Sequence, residues 1–341
     1  MNRRAFPVLR VLRVMRHSGP HLAVAAVAAL AAACGPDVAS EKSTAPSTLA
    51  PATTAAIPWE DQVAAWKQHR HERLQRPDGW LTLVGLSWLR EGDNRVGSDP
   101  ESEVVLPAGK APALLGVIQL SGDKTTFRAA SGVDVRSAGA PVRELALTSD
   151  RAGEPTPLEH GTLTFTVIER ADRFAVRVRD REAETLRRFA GLETYPLDPA
   201  WRLQARFEPV EEVREVAVPN AVGYEEKIRS PGHVIFEVQG QEVRLLALDD
   251  TGDGRLFLVF GDPTNGSETY GGGRFLYTDP PRGGRVEVDF NRSYNPPCVF
   301  TPYATCPLPP RGNRLPFAVR AGEKRYEQEA AHAAPIQPAA G

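Results

Sequence analysis

The chain has 341 residues, a formal net charge of −2 and three cysteines. Acidic and basic side chains alternate along it, so it lacks the basic patch that nucleic-acid binding requires, and that function class is excluded. With both terminal segments set aside, about 265 residues remain, which is enough for one large domain or two smaller ones.

The N-terminal segment has the pattern of an export signal. Several arginines precede an apolar run at residues 22–30, which ends in three alanines and Cys34. The run is shorter than the roughly 20 apolar residues needed to span a bilayer. Residues 1–33 resemble a bacterial lipoprotein signal peptide, in which the cysteine is lipidated and becomes the new N-terminus. One departure is the alanine three places before the cysteine, where a large aliphatic residue is usual; Leu30 lies one place further back.

Two details of the export signal remain open. Arg3 and Arg4 resemble the start of a twin-arginine signal, which would imply export in a folded state. Met15 offers an alternative start that would leave a signal of ordinary length. The sequence therefore does not decide the export route.

The segments that flank the folded part share one composition. Residues 34–57 are rich in Ala, Ser, Thr and Pro without apolar periodicity, which predicts a flexible tether after the lipidated cysteine. Residues 327–341 repeat this composition and predict a disordered tail. Because Gly35 follows the cysteine in place of an acidic retention signal, we expect a protein anchored in the envelope at the periplasmic face, at the outer membrane.

The pattern of apolar residues predicts a mainly β fold with one N-terminal amphipathic helix. Trp59, Val63 and Trp66 have helical spacing within a segment bounded by two prolines. Later apolar runs are short, rich in β-branched and aromatic residues, and separated by Gly, Pro, Asp or Ser, as in antiparallel strands. These runs are residues 103–106, 116–120, 162–168, 174–178, 234–238, 243–248, 256–260 and 286–290.

Residues 58–205 are predicted to hold the helix and a β-sandwich. The run NRVGSD at residues 94–99 resembles the opening of a forkhead-associated (FHA) sandwich. In that family an arginine after the glycine and a later Ser-Arg-His contact phosphothreonine, whereas here Ser98 takes the arginine's place and no Ser-Arg-His follows. The resemblance thus implies the sandwich without the phosphopeptide site.

A second β-rich unit is predicted at residues 206–326. The charged stretch at 209–226, with its Pro-Asn turn, interrupts the strand pattern and places a boundary near Ala205. This unit carries the most distinctive segment of the chain, DFNRSYNPPC at 289–298 followed by CPLPP at 306–310. Its prolines exclude both a helix and a central strand.

These motifs resemble the bacterial and archaeal family called domain of unknown function 1684. The resemblance also includes YGGGRFL at 270–276, GEK at 322–324, GWLTLVGLSWL at 79–89 and RRFAGL at 187–192. It extends from Trp59 to Arg325. The family has no agreed activity, so the resemblance indicates a site region without a mechanism.

The cysteine pair predicts a disulfide. Once Cys34 is lipidated, Cys298 and Cys306 are the remaining cysteines, and an oxidising periplasm favours their pairing. Closing so small a loop would stabilise the fold by about 2–3 kcal/mol. The alternative is a metal site, but two thiolates without a nearby histidine fall short of four ligands. We therefore predict neither a metal nor another cofactor.

Two glycine-containing loops have a functional and a structural interpretation. Asp250-Thr251-Gly252 is similar to one aspartic-protease loop, and the residues from Asp249 match the start of a calcium loop whose twelfth position is Phe260. A turn between two strands explains the same residues. The three glycines at 271–273 precede a strand-like run, which favours close backbone packing over a phosphate cradle.

The candidate site residues are polar side chains of the second unit. They could line a pocket for a small polar ligand, or satisfy the backbone groups of the proline-rich loop. The ligand-binding candidates are Asp262, Thr264, Asn291, Tyr294 and Asn295, and the catalytic candidates are Asp289, Arg274 and Tyr270.

No complete catalytic constellation is present, and a Gly-x-Ser-x-Gly elbow is missing. The sequence therefore favours a lipid-anchored binding or scaffolding module for a small polar ligand or an envelope partner. The alternative is a periplasmic hydrolase in which Asp289 is the general base and Arg274 or Tyr270 stabilises developing negative charge.

Overall fold

A computed structural model describes residues 57–327. The signal segment, Cys34, nearly all of the predicted tether and the tail beyond 327 lie outside the described residues. The described residues form one compact unit. Within the described range, no helix has the length and apolar character needed to cross a membrane.

The first element is the predicted helix, α1 (Trp59–Gln75), which begins after one proline and ends before another. The side of α1 that contacts the rest of the protein is only partly apolar. Val63 and Leu74 are buried, whereas Trp59 and Arg70 contact the rest of the protein through hydrogen bonds from their side chains. The helix is therefore held by polar as well as apolar contacts.

The other main elements of the described chain are strands, together with one short helix, α2 (Glu184–Arg188). Every predicted run coincides with a strand, so the mainly β fold class is confirmed. In chain order the strands are β1 (Leu83–Trp88), β2 (Gly92–Gly97), β3 (Val104–Val105), β4 (Gly116–Ser121), β5 (Lys124–Ala129), β6 (Arg136–Ser137), β7 (Ala140–Pro141), β8 (Glu144–Leu147), β9 (Leu158–His160), β10 (Leu163–Arg170), β11 (Arg173–Asp180), β12 (Arg202–Pro219), β13 (Glu225–Val238), β14 (Gln241–Asp249), β15 (Leu256–Phe260), β16 (Arg274–Thr278) and β17 (Arg285–Asp289).

Strands β1 to β11 form two sheets around one apolar core. One sheet has the order β1-β11-β10-β9-β6-β7 and the other the order β3-β2-β4-β5-β8. All pairs are antiparallel except β2 with β3. Phe127 on β5 contacts Phe165 on β10 with ring centroids 6.1 Å apart, so side chains of both sheets meet in the core. This is the sandwich that the sequence predicts.

Strands β12 to β17 form a third sheet in the order β16-β15-β14-β13-β12-β17. All five residues of the central strand β15 are buried, because the sheet is covered on both faces. Leu258 belongs to the cluster on one face, and Val259 belongs to the cluster on the other, which includes Cys306. The cysteine–proline block thus packs directly on the sheet.

The predicted interruption at 209–226 is wrong, because most of this stretch continues strand β12. Residues 214–219 of β12 pair with residues 225–230 of β13, and a turn at Asn220 joins the two strands. Most side chains in this half of β12 are exposed, so the strand accepts charged residues that a half-buried strand would exclude. The predicted boundary near Ala205 falls inside β12, and the division into two units stays a prediction.

Candidate functional site

Three of the predicted site residues form a buried polar network. Arg274, which is fully buried, donates from Nη2 to Asp262 Oδ2 at 2.7 Å and to the carbonyl oxygen of Val319 at 2.7 Å. Thr264 donates to the other carboxylate oxygen of Asp262 from its backbone nitrogen at 2.8 Å and from its hydroxyl at 2.6 Å. These hydrogen bonds hold the C-terminal segment, and Nε of Arg274 is left without a partner among the described residues. The three side chains do not line an open pocket.

Asp289 is also occupied by neighbouring donors. Its carboxylate accepts from the indole of Trp59 at 2.8 Å and from the backbone and side-chain amides of Asn291 at 3.0 and 2.9 Å. Arg292 Nε lies 3.5 Å from Oδ2. Only 5 % of Asp289 is exposed, so this carboxylate fastens α1 to the proline-rich block. The geometry does not favour a general base at this position.

Arg70, which sequence reasoning missed, connects α1 to the predicted residues Tyr294 and Asn295. It donates to both carboxylate oxygens of buried Glu323, at 2.6 and 3.2 Å, and to the carbonyl oxygen of Asn295 at 2.8 Å. Its guanidinium lies 4.4 Å from the centroid of the Tyr294 ring. Asn295 donates to Glu323 from its backbone nitrogen and to the Lys324 carbonyl from its side chain.

The two cysteines lie side by side as thiols. The backbone N–H of Cys298 donates to Sγ of Cys306 at 3.1 Å, and the Cys298 thiol donates to the hydroxyl of Tyr270 at 3.5 Å. Burial raises the pKa of the Cys306 thiol, and the hydrogen bond with the Cys298 side chain adds to this effect. The predicted disulfide is not formed in this structure and stays a prediction.

Of the three glycines at 271–273, Gly273 shows the close backbone packing that the structural interpretation predicts. It has a φ of +93°, and a Cβ at this position would lie 2.6 Å from the carbonyl oxygen of Phe260 and 2.5 Å from Pro309 Cγ. The close approach of two backbones therefore requires glycine here. In the described part of the chain, no group of three or more His, Cys, Asp or Glu side chains is placed to hold a metal ion.

The open site is a cavity of about 1280 Å³ whose walls come from distant parts of the chain. They are α1, the segment after it, β10 and β11 of the sandwich, the β12–β13 pair, the β14–β15 turn and the cysteine–proline block. Of the eight residues predicted for ligand binding or catalysis, only Tyr294 lines this cavity. The sequence thus located one wall of the site.

Aromatic rings cover much of the cavity wall formed by the third sheet. Tyr277 stacks on Phe257 with centroids 4.7 Å apart, and its ring is nearly parallel to that of Tyr294 at 6.5 Å. Burial raises the pKa of both tyrosines. Such a surface can pack against a ring or another flat apolar group.

Asp250 lies beside these rings, in the predicted turn between β14 and β15. It accepts a hydrogen bond from the Tyr277 hydroxyl at 2.5 Å. The carboxylate is accessible from the cavity, but the surrounding protein removes enough water to raise its pKa. The sequence assigned this residue to a turn and gave no sign of its position in a cavity.

Ten arginine and lysine side chains and six carboxylates line the cavity, and three of the cations, Arg70, Arg255 and Arg292, are paired with carboxylates outside it. Several carboxylates are already paired: Asp150 lies 2.8 Å from Arg170, and Asp249 lies 2.9 Å from Arg229. The ten cationic residues are Arg70, Arg73, Arg76, Arg151, Arg170, Arg177, Lys227, Arg229, Arg255 and Arg292.

Arg177 on β11 is the most deeply placed of these cations, with 8 % of its surface exposed. Among the described residues, its Nε and Nη2 atoms have no hydrogen-bond partner. Its guanidinium lies 5.2 Å from the centroid of the Trp80 ring. Burial, together with the nearby charges of Arg170 and Arg179, lowers the pKa of Arg177 to about 10.

Comparison with known proteins assigns one segment of the chain to a family. The model of the family described as protein of unknown function (DUF1684) matches residues 187–324. This segment belongs to that family. The DUF1684 segment includes the third sheet and the cysteine–proline block, and it supplies Asp250, Tyr277 and Tyr294 to the cavity. Arg177 lies outside the matched range. No curated protein matches the chain.

Solved structures with similarity to the chain fall into two groups. An uncharacterised protein of Haloarcula marismortui, solved by NMR, is 30 % identical over 40 % of this chain and 77 % of its own, with a TM-score of 0.34. An FHA domain from a study of phosphothreonine-dependent interactions is 19 % identical over 29 % of this chain and 96 % of its own, with a TM-score of 0.20. The FhaA FHA domain is 18 % identical over 28 % of this chain and 97 % of its own, also with a TM-score of 0.20.

Proposed function

We propose that this protein is a lipid-anchored binding module of the cell envelope that holds a small polar ligand in the cavity beside α1. The lipoprotein-like signal and the tether support the anchor. The cavity supports ligand binding, because its volume of about 1280 Å³ is at least as large as typical small-molecule sites, which measure about 300–1,000 Å³.

Two observations on the cavity wall support the proposal: the side chains that line it and the regular elements on which they lie. Aromatic rings form an apolar surface, and charged groups surround it, which is the combination that fixes a small molecule and its orientation. Most of these groups are on strands or on α1, whose positions are set by buried contacts such as Arg70 with Glu323. A wall built on regular elements is organised before the ligand arrives.

The hydrolase alternative lacks a comparable observation. Asp289 is occupied by Trp59 and Asn291 and is not among the residues that line the cavity. Arg274 is likewise committed to Asp262 inside the protein. A general base must reach its substrate directly or through one water, and these positions do not provide that access.

Binding can be tested by thermal shift against sugars, nucleotides and cell-wall fragments. A matched pair of variants locates the site: His69 lines the cavity from α1, whereas its exposed neighbour Gln68 does not. We expect His69→Trp to reduce the shift caused by a bound compound and Gln68→Trp to leave it unchanged. Failure of every compound, together with empty pull-downs from envelope extracts, would refute the proposal.

A further inference from the structure

We infer that the ligand of this cavity is an anion and that Arg177 binds its phosphate, sulfate or carboxylate group. This inference rests on the proposed function and specifies the chemistry of the ligand. It depends on the position of one guanidinium and on the charges around it.

Arg177 has an unusual position for an arginine. It occupies the middle of β11, where its backbone is held between Leu86 of β1 and Thr166 of β10. Its side chain is more than nine-tenths buried and lines the cavity, while Nε and Nη2 lack partners among the described residues. A buried charge without a hydrogen-bond acceptor is costly, so a fold that retains one needs a compensating group.

The neighbouring protein groups do not provide that compensation. Asp150 is the carboxylate whose charge acts most on Arg177, but its oxygens already bind Arg170 at 2.8 Å and the backbone N–H of Glu169 at 2.9 Å. Arg170 and Arg179 add positive charge. The face of the Trp80 ring attracts the guanidinium of Arg177 through a cation–π contact, but this contact is not a hydrogen bond to the N–H groups of the guanidinium. An oxyanion in the cavity supplies the missing negative charge.

The surroundings also indicate what the anionic group is attached to. Trp80, which contacts Arg177, packs against the same apolar cluster as Tyr277 and Tyr294. A ligand with its anionic group at Arg177 can therefore lay an attached ring along this aromatic wall. An aromatic phosphate or carboxylate is the simplest molecule with both parts.

The test is a calorimetric titration of the full chain with phenyl phosphate, benzoate and inorganic phosphate, with benzyl alcohol as the neutral analogue. We expect at least one of the two aromatic anions to bind more tightly than benzyl alcohol, and the comparison of the two distinguishes phosphate from carboxylate recognition. Arg177→Met should weaken the binding of that anion roughly 10- to 100-fold, as expected for lost charge-assisted hydrogen bonds. Arg128→Met, at an exposed position outside the cavity, is the matched control and should bind like the wild type.

A structural role for Arg177 predicts a different result in the absence of ligand. Because the Met variant removes an uncompensated buried charge, its ligand-free Tm should equal or exceed that of Arg128→Met. Arg177→Gln is the second variant if the Met variant does not fold. A lower ligand-free Tm with unchanged affinity would overturn the inference.

Failure of this inference is distinguishable from failure of the proposed function. If the wild type binds a neutral sugar or another uncharged compound but none of the anions, the assignment of an anion is wrong and the binding module stands. If neither class binds and no envelope partner is captured, both proposals fail.

Discussion

At the scale of single residues, two buried arginines differ in whether they have a counter-ion. Arg274 contacts the carboxylate of Asp262 at 2.7 Å, and both side chains are fully buried. Arg177 is nearly as buried, but Asp150, the carboxylate whose charge acts on it among the described residues, is paired with Arg170. The first arginine is part of the folded protein's own network. The second is the group to which we assign the anion.

Arg274→Met is expected to destabilise the protein by about 3–5 kcal/mol, because it leaves the carboxylate of Asp262 buried and unpaired. The control is Arg320→Met, which removes an exposed ion pair with Glu268 and should change stability little. Urea unfolding of both variants checks the difference. Equal midpoints for the two would show that the buried pair is not needed for stability.

Asp250→Asn is expected to increase stability at pH 7. Burial raises the pKa of this carboxyl above its ordinary value of 3.8, so in the wild type the folded state binds more protons than the unfolded state above that pH. Wild-type stability therefore falls as the pH rises from 3.8 through the raised pKa, and the asparagine variant lacks this loss. The advantage of the variant should disappear in acid.

The measurement for Asp250 is a series of unfolding curves between pH 3.5 and pH 7. Asp123→Asn, at an exposed turn outside the cavity, serves as the comparison. The same pH dependence in wild type and Asp250→Asn would contradict the effect of burial on this carboxyl.

At the scale of elements, α1 is the part whose attachment decides the shape of the cavity. It contributes Trp66, His69 and Arg73 to the wall, and it is fastened mainly by Arg70 to Glu323 and by Trp59 to Asp289. These two polar contacts join the helix to one end of the fold, and the buried side chains of Val63 and Leu74 add apolar contacts.

Arg70→Met should loosen α1 and lower stability by about 3–5 kcal/mol, because Glu323 loses its only salt-bridge partner among the described residues while remaining buried. Arg76→Met, which removes an exposed pair with Asp78, is the matched control. Hydrogen exchange of the helix amides should accelerate in the first variant only. Unchanged exchange in Arg70→Met would show that apolar contacts alone hold the helix.

The cysteine–proline block gives a second prediction at this scale. The exported, unreduced protein is expected to contain a bond between Cys298 and Cys306, since their thiols are adjacent in the structure. Replacing both by serine should then cost roughly 2–3 kcal/mol. Mass spectrometry without reduction checks the bond directly, and two reactive thiols in that sample would contradict it.

The sequence predicted elements better than it predicted the site. The eight runs became strands because β-branched and aromatic residues fill a pleated, buried surface. The continuation of β12 was missed because its exposed half buries too little to leave an apolar pattern. Arg177 could not be identified because a polar residue within a strand ordinarily faces solvent, and only the tertiary structure shows that this one is buried and unpaired.

The sequence left two interpretations of the buried network open for a related reason. Asp262, Arg274 and Asp289 have the side chains that active sites use, and the sequence does not show which partners they meet. Their partners, such as Trp59, lie far away along the chain. Tyr294 lines the cavity because the cysteine–proline block forms one of its walls, and its role in ligand binding stays a prediction.

At the scale of the whole molecule, the proposed anchor gives a prediction that is independent of the cavity. Cys34→Ala should leave the signal segment uncleaved by the lipoprotein peptidase and release the protein from the lipid-anchored fraction, because the acylated side chain is lost. Membrane fractionation and the mass of the N-terminus check this. Unchanged fractionation would remove the lipoprotein assignment while leaving ligand binding untouched.

The attachment of α1 to the end of the fold also bears on the order of synthesis. Glu323 follows Arg70 by 253 residues, and Asp289 follows Trp59 by 230. A ribosome makes the helix early and these two partners late, so the polar contacts of α1 with Glu323 and Asp289 cannot form until nearly the whole chain has emerged. Contacts this distant in sequence form slowly. The two contacts therefore form only when the chain is nearly complete, so the cavity wall that α1 supplies is fixed at the end of synthesis at the earliest.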